Sequence, residues 1–201
     1  MERNRAVFIL LAFILFLALL GVIIAMIFSG GGNGSNKKQP VKTSSAKVKT
    51  LPDYYNTDAT TSMTIDGHVN GDESHTAIKV TIGQSQREVD IIQGYSGHVV
   101  SRQSFNNTQD AYAVFLRAIN YSGFLLSLKT KTPAPADERG LCPQGNRYIF
   151  EFDQNGKVLS RLWASDCGTA VGTLGGSSSL LQGLFEAQIP QYSTFTGNVQ
   201  L

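Results

Sequence analysis

Cysteine is scarce in this chain. Only Cys142 and Cys167 occur among 201 residues, which excludes a disulfide-dense miniature scaffold. Charge is missing altogether from Ala6 to Phe28, a run of 23 residues without charge, amide or hydroxyl, and that rules out a plain cytosolic enzyme. Acids are missing from residues 29–50, which carry five lysines. No basic stripe interleaved with aromatics appears in the rest, so nucleic acid is not an expected partner. The Gly-rich stretch 168–179 (GTAVGTLGGSSS) lacks the Lys-Ser/Thr of a phosphate-binding loop, and none of its serines stands in a G-x-S-x-G frame. No internal repeat is visible. These absences leave no catalytic constellation, no cofactor-binding residue and no implied cofactor.

What is present falls into four segments. Residues 1–5 read as a cytoplasmic tail, and 6–28 as a transmembrane signal anchor. At about 1.5 Å rise per residue the run spans about 34 Å, enough for a hydrocarbon core of about 30 Å with some tilt. It exceeds the 7–15 residues of a cleaved signal's apolar region. Residues 29–58 read as a flexible basic linker, with Gly and Ser for flexibility and Pro40 and Pro52 as breakers. Residues 59–201 read as an extracytoplasmic α+β domain. Arg3 and Arg5 place the N-terminus inside, while Lys37, Lys38, Lys42, Lys47 and Lys49 on the other flank argue the opposite way. The arginines are closer to the span, and the cysteine pair suits an oxidising compartment, so the expected location is a cell membrane crossed once with the domain outside. The five lysines offer contact with anionic lipid or a wall polymer; the competing reading is a solvated linker. Beyond residue 50, ten basic residues face fourteen acids, so a domain of about −4 hangs on a tether of +5.

Within the domain, stretches 61–69, 75–82 and 87–93 read as an antiparallel meander. One register puts Met63 opposite Val80, Ile65 opposite Ile78, Val80 opposite Val89 and Ile78 opposite Ile91, which gathers these apolar residues on one face. A slip of one residue would scatter them. Asn107 offers an N-cap with Asp110 three positions on, and Ala111, Tyr112, Phe115, Leu116 and Ile119 follow at helical spacing up to Gly123. This helix is expected to cover the apolar face. Residues 124–129 are a candidate further strand. Residues 147–164 read as a hairpin around Asn155-Gly156, which suits a type I′ turn. A two-residue turn pairs Tyr148 with Trp163 and Phe152 with Leu159, while a four-residue loop puts Cys142 directly opposite Cys167. Either places the two cysteines at the open end of one hairpin, where a disulfide is expected. Leu180, Leu181, Leu184 and Phe185 form a second short helix capped near Ser177, and a polar tail follows Pro190.

His68 and His75 are the one pair with metal-ligand chemistry. The meander register puts them opposite each other on the solvent face, with Asp66, Asp72 and Glu73 nearby. Two imidazoles and turn carboxylates do not make a defined site, so no metal site is assigned. His98 stands alone. The stretch Cys142-Pro-Gln-Gly-Asn-Arg-Tyr-Ile-Phe, then Arg161-Leu-Trp, Cys167-Gly and Leu184-Phe185-Glu-Ala-Gln-Ile-Pro-Gln-Tyr192, resembles uncharacterised single-pass anchored exported domains of small-genome candidate-phylum bacteria. The resemblance covers residues 60–195 and implies a bacterial, exported protein with no activity to transfer. The expected function is a membrane-anchored binding or interaction module for an unknown protein, peptide or glycan. An envelope hydrolase with a dispersed His/carboxylate site and a structural subunit of a surface assembly are the alternatives.

Overall fold

The computed structural model of the protein describes residues 50–168 and 171–201. The expected membrane span 6–28 and the five tether lysines lie outside the described residues. Among the described residues no helix is long and apolar enough to cross a membrane.

The domain is α+β. Six antiparallel strands form one sheet in the order β4-β3-β2-β1-β5-β6. They are β1 (Thr60–Asp66), β2 (Thr76–Ile82), β3 (Gln86–Gln93), β4 (His98–Asn106), β5 (Arg147–Gln154) and β6 (Lys157–Ser165). The meander takes the expected register, with Met63 against Val80, Ile65 against Ile78, Val80 against Val89 and Ile78 against Ile91. The chain then adds β4 outside β3, runs through a helix, and returns to pair β5 with β1, Met63 facing Phe150 and Asp66 facing Arg147.

The apolar face collects Met63, Ile65, Ile78, Val80, Val89, Phe150, Phe152 and Leu162. Helix α1 (Gln109–Tyr121) lies against it through Tyr112, Phe115, Leu116 and Ile119, and α2 (Ser178–Glu186) adds Leu181 and Phe185. Phe115 and Phe185 meet edge to face at 5.1 Å between ring centres, within the favoured range for such pairs. Thr108, not Asn107, caps α1: its hydroxyl accepts from the Ala111 N–H at 3.2 Å. The Asn107 side chain instead donates to the Gly83 carbonyl at 2.7 Å. Ser177 caps α2 as expected.

Further features depart from the sequence reading. The packed structure starts before residue 59, because Leu51, in the 310 turn Leu51–Tyr54, is fully buried in the core. Strand β4 has no apolar alternation to announce it, since it is an edge strand exposed over most of its length. Residues 124–129 form no strand and contribute a single bridge, Ser127 to Leu174. The tail folds into α3 (Tyr192–Thr196) and packs Tyr192, Phe195, Val199 and Leu201 on the core.

The hairpin β5–β6 turns tightly at Asn155 and Gly156, both at positive φ (55° and 74°), as a type I′ turn demands. A bulge at Leu159 then shifts the register by one: Asp153 faces Val158, but Phe152 faces Ser160. Trp163 therefore lies opposite Ile149 rather than Tyr148 and points away from the main core. It is nonetheless fully buried, because the loop between α1 and β5 covers it and the Pro135 carbonyl accepts from its Nε1 at 2.8 Å. Cys142 and Cys167 form the expected disulfide, with Cα atoms 5.6 Å apart.

Candidate functional site

The second face of the sheet carries the polar half of each strand's alternation. Period-2 geometry puts Thr64 and Asp66 of β1, Ala77 and Lys79 of β2, Asp90 and Ile92 of β3, and Arg147, Ile149 and Glu151 of β5 on that face. The loop preceding β5 covers part of it, over Trp163 of β6 and Arg147 of β5. Beside that loop lies a cavity of about 250 Å³ with Thr64, Ala77, Ile92 and Ile149 on its floor.

One wall is a buried ionic cluster. Arg147 is 1% exposed, and its Nε donates to Asp66 Oδ2 at 2.8 Å. Its two terminal nitrogens donate to the backbone carbonyls of Cys142 (3.1 Å) and Gly67. One guanidinium thus ties the end of β1 to the disulfide loop, and its planar fork spreads donors in the directions needed. Asp66 Oδ1 lies 2.9 Å from His75 Nε2, and His75 Nδ1 lies 3.0 Å from the His68 carbonyl oxygen. The buried His75 ring stacks on Tyr95 at 4.0 Å, and the Tyr95 hydroxyl bonds to the Asn70 backbone. The Val69 N–H donates to the Pro143 carbonyl at 2.8 Å, joining the β1–β2 turn to the same loop.

The opposite wall is a chain of ion pairs. Glu138, 5% exposed, accepts both Arg161 terminal nitrogens at 2.6 and 2.7 Å. Arg161 Nε reaches Glu151 at 3.2 Å, and Glu151 lies 3.7 Å from Lys79. Hydrogen bonding to Glu138 raises the Arg161 pKa further. At the rim, hydrogen bonds from Arg139 lower the exposed Asp137 carboxyl to about 2. Each charge is matched locally, so the walls offer oriented donors and acceptors with little net charge.

The rings of His68 and His75 are engaged separately. His68 is exposed, with Nδ1 2.5 Å from the Leu201 carbonyl oxygen, while His75 is buried between Asp66 and Tyr95. His98 begins the exposed edge strand β4. Among the described residues the cluster of three candidate metal ligands is Cys142, Cys167 and Asp166, and its two sulfurs are bonded to each other. Another cavity, of about 270 Å³, lies at the β2–β3 turn, between Gly83, Gln84 and Ser85 and the start of β1. It lacks the buried charged groups of the first.

Sequence reading places Asp66 beside the histidines but assigns no role to Arg147, Tyr95 or Glu138. Only the pairing of β1 with β5 brings Arg147 to Asp66, across 81 positions of sequence. The readable signal is an arginine opening a strand whose opposite face, Tyr148, Phe150 and Phe152, is apolar. Comparison with protein-family models finds no match, and comparison with curated proteins finds none, so the site is interpreted from its own geometry.

Proposed function

We propose that this protein is a membrane-anchored, extracytoplasmic binding module that takes its ligand on the polar face of the sheet, in the cavity between Tyr95 and Arg139. The observation that carries this reading is the stiffness of that wall. The buried Arg147–Asp66–His75 cluster and the Cys142–Cys167 bridge hold it from both ends, so a ligand meets groups already oriented. The cavity floor is apolar and its rim polar, the usual division of labour in a recognition site.

The arrangement favours binding over hydrolysis. Both His75 nitrogens lie within 3.0 Å of the protein's own oxygens, so the buried ring is already engaged rather than facing a nucleophile. The uncharged run 6–28 supports the anchor, and the acidic domain on a basic tether keeps the two parts electrostatically distinct.

The test is hydrogen exchange on the full chain with and without isolated cell-wall polymer and envelope extract. Slowed exchange confined to Thr64, Ala77 and the Tyr95 turn, lost in Tyr95→Ala and Arg139→Glu, is the expected result. Protection elsewhere, or none, removes the proposal.

A further inference from the structure

The two edges of the sheet are unlike. At β6 the open end is occupied: the Thr173 and Leu174 N–H groups both donate to the Trp163 carbonyl, and the Trp163 N–H donates to the Thr173 hydroxyl. Among the described residues no strand lies outside β4 in the sheet order, and the strand runs nine residues with Arg102 as its one formal charge. It contains no proline and no lysine, and its one irregularity is a bulge at Val100, which precedes the regular stretch from Ser101 to Asn106. Natural edges are usually blunted by such residues or covered, and a long open edge is a template for another strand.

The outward groups can be assigned. Asn107 donates to the Ser85 carbonyl, which places Phe105 and Gln103 in the positions bonded to β3, and Arg102 and Ser104 in the alternate positions whose N–H and C=O point away from the sheet. The Asn106 carbonyl is already taken by Arg87. A partner strand must therefore pair with Arg102 and Ser104.

We infer that this partner is β4 of a second copy of the chain, joined antiparallel about a two-fold axis at Gln103, so that Arg102 of each copy pairs with Ser104 of the other. The choice rests on charge. Arg102 binds Asp90 through two nitrogens, at 2.6 and 2.8 Å, and reaches Glu88 at 3.3 Å; the Ser104 hydroxyl donates to the same Glu88 at 3.0 Å. In this register each incoming Arg102 lines up with the Ser104–Glu88 pair of its partner, giving two symmetric rows of acid, hydroxyl, arginine and acid. Shifting so that Arg102 faces Arg102 sets like charges opposite, which destabilises the pair. Shifting the other way requires Asn106, whose carbonyl is engaged. On the other face Gln103 meets Gln103, whose amides both donate and accept. The contact is isologous, so the β4 edge is used up at two copies.

Cysteine cross-linking of the full chain in detergent micelles tests the register, because Cys142 and Cys167 are already bonded to each other. Gln103 then occupies the close pair across the axis, with Cα atoms about 4.5 Å apart. The expected result is a reducible dimer for Gln103→Cys under mild oxidation and none for Ser101→Cys, which is offset from its own copy, or for Val158→Cys on the far edge. Adding Ser104→Pro removes an outward N–H that β3 does not use, so the dimer is lost while the circular dichroism stays unchanged. Equal cross-linking at all three positions, as tethered chains meeting through their apolar runs would give, overturns the inference. So does the absence of a Gln103→Cys dimer, or a dimer that survives Ser104→Pro.

Discussion

Arg147 holds together three parts of the chain: the end of β1, the backbone around Cys142 and, through Asp66, the His75 ring. Removing one partner of such a buried pair leaves the other charge without compensation. Arg147→Met is therefore expected to cost about 3–5 kcal/mol in denaturant unfolding, although it keeps most of the volume. Tyr112 and Tyr192 act at the other end of the pH scale. Burial, the main cause in both, raises their phenol pKa values well above the ordinary 10. A raised folded value means the folded state retains protons that the unfolded state has released. Their contribution is fully present below about pH 10 and is lost as pH climbs toward the folded values. The expected outcome is alkaline unfolding in which these two phenols stay silent in phenolate absorbance until the fold opens. Tyr112→Phe loses the hydrogen bond to the Ala59 carbonyl but makes the decline above pH 10 shallower. An unchanged slope would assign the loss to other groups.

At the scale of elements, the caps and the bulge decide where things point. The Thr108 hydroxyl satisfies one of the free N–H groups at the start of α1, and Thr108→Ala is expected to cost about 1 kcal/mol by thermal unfolding. Asn107→Ala acts instead on the link to the β2–β3 turn, so its effect includes the loss of the Gly83 contact. The bulge at Leu159 has larger consequences. It turns Trp163 from the main core to the polar face, where the covering loop must bury it, and that loop then supplies Glu138 and Arg139 to the cavity. Deleting Leu159 removes the extra residue and leaves Trp163 opposite Ile149, so the emission maximum of this single tryptophan is expected to stay unchanged. A shifted maximum would show that the ladder beyond the bulge takes a new register.

For the whole molecule, the disulfide closes a ring of cysteines 25 positions apart around the hairpin. In the chain-entropy model it contributes about 3.5 kcal/mol, a large part of the stability of a domain this size. The pair Cys142→Ser and Cys167→Ser is expected to lower the denaturant midpoint accordingly. It is also expected to raise hydrogen exchange in the loop before β5 more than in the meander, because Arg147 holds the same loop only through carbonyls. Location is tested on whole cells by protease shaving with maleimide-polymer labelling. A domain trimmed from outside that labels only after reduction supports the proposed anchored, exported arrangement. A protected domain with two freely labelled thiols places it inside.

The amino-acid pattern by itself determined the local facts: the meander register, the Asn155-Gly156 turn, the Ser177 cap, the apolar stripe of α1 and the nearness of the two cysteines. Each depends on neighbours within about 25 positions, and a wrong register would have exposed Met63, Ile65, Ile78 and Val80 together. Tertiary structure alone decided the rest. Strand β4 carries no apolar alternation because it sits at the edge, so nothing in its sequence marks it as a strand. The tail docks because its few large side chains, Tyr192, Phe195, Val199 and Leu201, find core surface that only the closed sheet provides. The polar site exists because β5 returns to β1 and brings Arg147 to Asp66. No periodicity encodes that meeting, since its physical cause is the burial of two apolar faces more than 80 residues apart in the chain.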